Sequence, residues 1–254
     1  MLTAICRLLL FFSFAATPIT FPAFDVSMRS VADIPLPQGF ERVPVAPGSF
    51  AEYLRRLPLR KDKTIYFYNG AVKPNQSLHY AVLDVSTGAK DLQQCADAVM
   101  RLRGEYFFGK GMYDSIRFLK GDRTYYQFAA YLKNNAADTR GSFLKFMETV
   151  FVYCGSYTLE QSMKRVNDVY SMQAGDVFVK GGAPGHAEIV VDMAVQRSTG
   201  KKIYLLAEGY MPAQDMHIVL NPVNTKMGPW YELTDEQKIV TATWVFDKGQ
   251  LRRW

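Results

Sequence analysis

Three cysteines and three histidines serve 254 residues, so nucleophilic chemistry would have to be assembled from few parts. Cys95 lies in "KDLQQCADAVMRLRGEYF", directly after Gln93 and Gln94, at what reads as the start of a helix. A thiol attacks as the thiolate. Its pKa falls at a helix N-terminus, where unpaired N–H groups present partial positive charge, and falls further beside an imidazolium. His186 is the natural base, because it opens an apolar strand right after "GGAPG". A third, polar residue on the neighbouring strand must orient its ring. Glu208, an acid placed after the mostly apolar run "IYLLA", is the candidate; Gln214, Asp215 and His217 in "MPAQDMHIV" are its rivals. Read alone, Cys95 also fits a small core residue, or half of a disulfide with Cys154.

Register tests this trio. A turn centred near residue 198 or 199 sets His186 opposite Met211 or Pro212. Glu208 then lies about three residues, roughly 10 Å, from the opposite position. A longer loop or a β-bulge is needed to close that gap.

The elements that must position these residues are legible in outline. Asp91 reads as a helix N-cap, with Gln94 reaching back as in a capping box. Cys95, Val99, Leu102 and Tyr106 then share one face. Ser49 caps a short helix over 49–57, which Pro58 ends. "TIYFYNG" and "HYAVLDVS" read as a hairpin, and "SIRFLKGDRTYYQFAAYL" as another around Gly121-Asp122. Residues 142–154 form a helix with Phe143, Met147, Val150 and Cys154 on one face. "TLEQSMKRV" is a third helix, with Thr158 and Gln161 as its capping pair. From Val169 on, "GDVFVKGG", "HAEIVVDMAV" and "KKIYLLAEGY" predict an antiparallel meander, and "TATWVFDKG" a last strand. The fold class is α+β, with a cysteine-bearing helix packed on an antiparallel sheet.

Residues 1–16 read as an export signal: one positive charge, the apolar run "LLLFFSFAA", then small residues. The run is too short for a membrane span of roughly 20 apolar residues. Residues 17–48 form a Pro-rich arm and 49–254 a single domain. Loss of Arg7 leaves 29 basic against 24 acidic residues, a charge of +5. No run of five or more Lys and Arg exists, so nucleic-acid binding has no support. Cys95, Cys154, His186 and His217 lack the short spacings of zinc motifs, and no cofactor is expected. "GGAPG" is no phosphate loop, because a strand follows it and no Lys-Ser/Thr does. His79 reads as structural.

"QQCADAVMRL" resembles the helix start of the CHAP domains (cysteine, histidine-dependent amidohydrolases/peptidases). "GDVFVKGGAPGHAEIVVDMA" resembles their "GDV…GHV(A)IV" strand pair, and the NlpC-type cell-wall peptidases share the order of Cys on a helix, His on a strand and a polar residue on the next. "DLQQCADAVMRLRGEY", "GDVFVKGGAPGHAEIVVDMA" and "GYMPAQDMHI" are similar to an exported bacterial family named only as a domain of unknown function. The resemblance implies a papain-like fold with Cys95 as nucleophile, His186 as base and Glu208 as orienting residue. It implies an oxyanion site at the Cys95 N–H, with the Gln94 or Gln93 amide. It implies an exported hydrolase, periplasmic or extracellular, acting on a peptide or cell-wall amide. A non-catalytic envelope binding protein and a domain clamped by a Cys95–Cys154 disulfide are the alternatives. Two features depart from the CHAP pattern: about 90 residues separate Cys95 from His186, and Ala96 and Asp97 replace the usual aromatic residues.

Overall fold

The computed structural model describes residues 27–135 and 139–254. The expected signal segment and the first part of the Pro-rich arm lie outside them. The strands are β1 (Glu41–Arg42), β2 (His79–Val82), β3 (Arg117–Leu119), β4 (Tyr125–Gln127), β5 (Lys164–Arg165), β6 (Val177–Lys180), β7 (His186–Gln196), β8 (Lys201–Glu208), β9 (His217–Val219), β10 (Tyr231–Glu232), β11 (Lys238–Val240), β12 (Val245–Asp247) and β13 (Leu251–Arg253). The α-helices are α1 (Phe50–Arg55), α2 (Cys95–Gly109), α3 (Phe128–Leu132), α4 (Thr139–Tyr153) and α5 (Ser156–Ser162). The architecture is therefore α+β, with a few helices on a large antiparallel sheet.

The expected meander β6-β7-β8 is its centre. Nine strands run in the order β2-β9-β8-β7-β6-β13-β5, with β1 also on β7 and β10 also on β8. The apolar run of β7 is nearly continuous because both faces of the sheet are covered. Ala187, Ile189 and Val191 join the core under α2, with Val99 and Leu102; Val190 and Met193 join Phe178, Tyr204, Leu206 and Phe246 on the other side. α4 backs α2 where Gly104 lets Phe143 and Met147 close in: a Cβ there would lie 3.2 Å from both.

Several local expectations need correction. The run 64–70 does not pair with β2. It makes only isolated bridges, Tyr66 with Val72 and Phe67 with Gln214, while β2 joins β9. All four β2 residues are buried, and the sheet edge at β9 buries them where an isolated hairpin cannot. The N-cap of α2 is Gln94, so Cys95 is the first helical residue, and Asp97 reaches back to the Gln94 N–H at 3.1 Å. Asp91 instead accepts from the Ala213 N–H. α5 begins at Ser156, with the Thr158 hydroxyl accepting from the Gly155 N–H. β12 pairs with β11 off the main sheet, and β13 slots between β6 and β5. The hairpin around Gly121-Asp122 forms as β3-β4.

The Pro-rich segment is built into this body from Met28 onward. Met28, Val31 and Ile34 are buried, and β1 lies on β7. Arg42 and Arg55 both pair with Asp192, which is fully buried on β7 (2.8 and 2.7 Å). Among the described residues no helix is long and apolar enough to cross a membrane.

Candidate active site

Two glycines set the approach of helix and strand. A Cβ at Gly185 would meet Ser156 Oγ and the Gly182 carbonyl at 2.3 Å, so only glycine makes the turn that delivers His186. A Cβ at Gly209 would lie 3.0 Å from Ala98 Cβ and 3.1 Å from the Gln94 carbonyl. Its absence lets the first turn of α2 settle against the end of β8. The first N–H groups of α2, including that of Cys95, have no carbonyl one turn back.

The gap anticipated between His186 and Glu208 is closed by a β-bulge. The β7–β8 ladder runs from Gln196↔Lys201 to Asp192↔Leu205, then shifts by one at Val191 to Val190↔Leu206 and Ile189↔Ala207. Extended, this register sets Glu208 opposite Glu188 and Tyr210 opposite His186. Glu208 thus becomes a diagonal neighbour of His186 on the same face, within reach of long side chains. It also pairs directly with His217 on β9.

The side chains complete a chain of contacts. Cys95 and His186 stand on the wall of the same cleft. His186 Nε2 donates to Glu208 Oε2 at 2.6 Å. Glu208 Oε1 lies 3.0 Å from His217 Nε2, and the Thr243 hydroxyl donates to Glu208 Oε2 at 2.9 Å. The His186 ring is held by Tyr210 and Trp244, each with its ring centre 5.2 Å away, and by Phe246 at 5.9 Å. Burial opposes charge on this ring, but the contacts with Cys95, Glu188 and Glu208 outweigh it and push its pKa up to about 12. Burial likewise works against the Glu208 carboxylate, yet the two histidines hold it down to about 2. His186 is thereby a strong base, and a proton on its ring is held against the Glu208 carboxylate.

The remaining expected residues fall into three groups. Gln93 is buried but committed, accepting from Arg101 and donating to the Ser86 carbonyl. Gln94 lines the cleft beside Cys95, although its side chain bonds Asp91. Asp215 faces away, paired with Arg60 at 3.0 Å and accepting from the Tyr66 N–H. Gln214 is buried beside it, its Nε2 without an acceptor among the described residues. Of the rivals, His217 alone joins the site, as the second partner of Glu208. His79 edges onto the His217 ring at 5.6 Å and contacts the Lys63 carbonyl, outside the cleft lining. Cys95 and Cys154 are both free thiols in the structure. Cys154 donates to the Leu119 carbonyl at 3.3 Å, and burial pushes its pKa up to about 11.

Sequence reasoning missed Glu188, Thr241, Thr243 and Trp244. Glu188 is fully buried, 3.6 Å from His186 Nε2, and its Oε1 lies 2.7 Å from the Thr241 hydroxyl. Its signal was present: an acid two residues after His186 shares the strand face of the base. The loop 241–244 approaches from far along the chain and carries no local mark.

His186, Glu188 and Glu208 also place ligand atoms within 4.8 Å of one another, as a metal site would. The 2.6 Å separation of His186 Nε2 and Glu208 Oε2 is that of a hydrogen bond. Two ligands of one ion, each bound at about 2.1 Å, sit ~3 Å or more apart. The group therefore fits a metal only after the two move apart.

Cys95 and His186 face a cleft of about 680 Å³ whose walls include Ser156, Pro184, Tyr210 and Trp244. The lining carries Asp91 and Asp97 and no lysine or arginine. No curated protein and no solved structure matches the chain. A family model does match, over residues 31–253, and so spans the sheet, the helices and every residue of this cleft: the chain belongs to the family described as domain of unknown function (4846), DUF4846.

Proposed function

We propose that the protein is an exported cysteine hydrolase that cleaves an amide or peptide bond with papain-like circuitry, and that its substrate class is a peptide of the cell envelope such as a peptidoglycan stem. The observation that carries the reading is the His186–Glu208 pair, 2.6 Å apart, with Cys95 and His186 on the wall of one cleft. His186 takes the Cys95 proton, and the resulting imidazolium rests on Glu208. The thiolate attacks the carbonyl carbon, and the carbonyl oxygen, now negative, turns toward the Cys95 N–H at the start of α2. His186 returns the proton to the leaving amine, and water hydrolyses the thioester. A cleft with Asp91 and no lysine or arginine on its lining suits a neutral or amine-bearing segment better than an anion. The CHAP and NlpC likeness of the Cys and His motifs supports the same reaction class.

The test needs no substrate at first. The mature chain, purified without reductant, is alkylated with iodoacetamide between pH 5 and 9, and Cys95 and Cys154 are followed separately by peptide mass. Fast labelling of Cys95 at pH 6 that is slowed in His186→Ala supports an activated thiolate, and peptidoglycan digests then become the substrate screen. Labelling that rises only near the ordinary thiol pKa of about 8.5 would overturn the reading in favour of a binding protein on the same scaffold. A chelator arm separates the metal alternative: Cys95 labelling unchanged by chelation keeps the relay, whereas labelling altered by it points to an ion between His186 and Glu208.

A further inference from the structure

A second cavity, of about 410 Å³, shares no lining residue with the Cys95 cleft. One wall is Arg103, eight residues or roughly 12 Å along α2 from Cys95. Its guanidinium lies 4.6 Å from the ring centre of Phe107 and 5.1 Å from those of Phe50 and Trp254. Among the described residues it makes no hydrogen bond and no ion pair. Stacking occupies the face of a guanidinium and leaves its N–H edge, which matches a carboxylate or phosphate fork, unused. The Trp254 indole N–H is also buried, with no acceptor among the described residues. Burial holds Arg103 down to about 10, still charged at neutral pH. A buried donor such as the Trp254 N–H ordinarily finds a partner, and beside it the half-buried Arg103 has its N–H edge unpaired among the described residues.

The surrounding charges leave the cavity positive. Asp176 is neutralised by Arg253, and Asp192 is shared by Arg42 and Arg55, which leaves one positive charge over. Lys202, also on the lining, bonds only the Tyr170 carbonyl among the described residues. With Arg103 the excess is three positive charges around a space otherwise walled by Val43, Phe50, Met172 and Met193. An apolar chamber of this size with one oriented charge has the form of a small-molecule site.

We infer that this cavity is a binding site for a small amphiphilic anion, a carboxylate head on a short alkyl or aryl body. The head meets the edge of Arg103 while Lys202 lends long-range attraction, and the body lies against Phe50 and the two methionines. The site stands independently of the hydrolase reading, because neither Cys95 nor His186 takes part.

Octanoate is the probe, with 1-octanol as its neutral counterpart and octylammonium as the cation, each titrated into the full mature chain by calorimetry and by thermal melting. Octanoate is expected to bind saturably at millimolar concentration or below and to raise Tm, with octanol at least tenfold weaker and octylammonium without effect. Arg103→Met keeps an apolar stem among the rings and is expected to weaken octanoate tenfold or more; Lys202→Ala is expected to weaken it two- to threefold and to flatten its salt dependence. Octanol binding as tightly as octanoate to the wild-type protein would overturn the inference without reference to any variant. So would octanoate binding that Arg103→Met leaves unchanged, or no saturable binding at all. Octyl phosphate in a parallel titration reads which head group the guanidinium edge prefers.

Discussion

Glu208 is clasped by two histidines from opposite sides: Oε2 takes His186 at 2.6 Å and Oε1 takes His217 at 3.0 Å. The carboxylate is fully buried, and the adjacent strands β7 and β9 present one ring each. Removing one partner of such a buried pair leaves the other charge uncompensated and typically costs about 3–5 kcal/mol. Glu208→Ala should therefore lose stability on that scale in urea unfolding, and its Cys95 labelling at pH 6 should fall at least tenfold. Glu208→Gln keeps the volume but can accept through one atom only, so it should lose the low-pH labelling with a smaller loss of stability. Unchanged labelling in both variants would remove Glu208 from the relay.

Glu188 plays a different part from its neighbour. Thr241 Oγ1 has one proton and two acceptors in reach, Glu188 Oε1 at 2.7 Å and the Trp244 carbonyl at 3.1 Å. With Glu188 protonated, its proton can serve Thr241 and leave the Thr241 proton for the Trp244 carbonyl. Burial raises the Glu188 pKa most, the hydrogen bond with His186 opposes it, and the facing Glu208 charge adds to the rise. Through Thr241 the carboxyl ties the loop that stacks Trp244 on His186. Glu188→Gln, whose amide can donate in the same way, should keep Cys95 labelling within about threefold of wild type. Glu188→Ala should free the loop, seen as a red-shifted Trp244 emission against a Trp244→Phe reference, and should slow labelling. Equal behaviour of the two variants would count against a donating Glu188.

The division between what the sequence shows and what it hides follows the range of each interaction. The meander, the Cys95 helix and the His186–Glu208 pairing were legible because period and turn chemistry are local. The bulge at Val191 was legible only as a need: the turn fixes the register at Gln196↔Lys201, and the two ends of the ladder cannot both be satisfied without an extra residue. What stayed hidden is long-range. β2 leaves its sequence neighbour for β9, β13 inserts between β6 and β5, and Thr241 to Trp244 reach a base more than fifty residues earlier. The caps misled for a related reason. Asp91 has the chemistry of an N-cap, but the Ala213 N–H takes it, and Gln94 becomes the cap instead.

Gly209 offers a test of geometry that leaves every polar group in place. Alanine there brings a methyl to 3.0 Å from Ala98 Cβ and 3.1 Å from the Gln94 carbonyl. These contacts are too close, and backbone forms one of them, so the first turn of α2 must lift away. A cost of about 1–3 kcal/mol is the usual range for overpacking. Because Cys95 rides on that turn, Gly209→Ala should slow its labelling at pH 6 more than the shift in urea midpoint would imply. Gly121→Ala, where an added Cβ meets nothing within 4 Å, is the control and should leave both unchanged. If Gly209→Ala labels like wild type, the seat of α2 on β8 does not set the thiol.

Asp97 makes stability depend on pH in a direction opposite to that of a paired carboxylate. It is 5% exposed, Oδ2 accepts the Gln94 N–H, and Oδ1 has no partner among the described residues. Burial is the largest influence and pushes its pKa up from 3.8 to about 8, against the backbone N–H groups that favour the charged form. The folded pKa is thus above the unfolded one, so the native state binds the extra proton between these values. The stability owed to neutral Asp97 is complete below about pH 4, declines as pH rises, and is gone once pH passes about 8. An asparagine side chain in its place keeps an acceptor for the Gln94 N–H and never ionises. Asp97→Asn should therefore match wild type near pH 4 and exceed it by a few kcal/mol at pH 9, each pKa unit being worth about 1.4 kcal/mol. Urea midpoints at the two pH values measure this, and a stability difference that does not grow between pH 4 and pH 9 would show that Asp97 is already ionised in the folded protein.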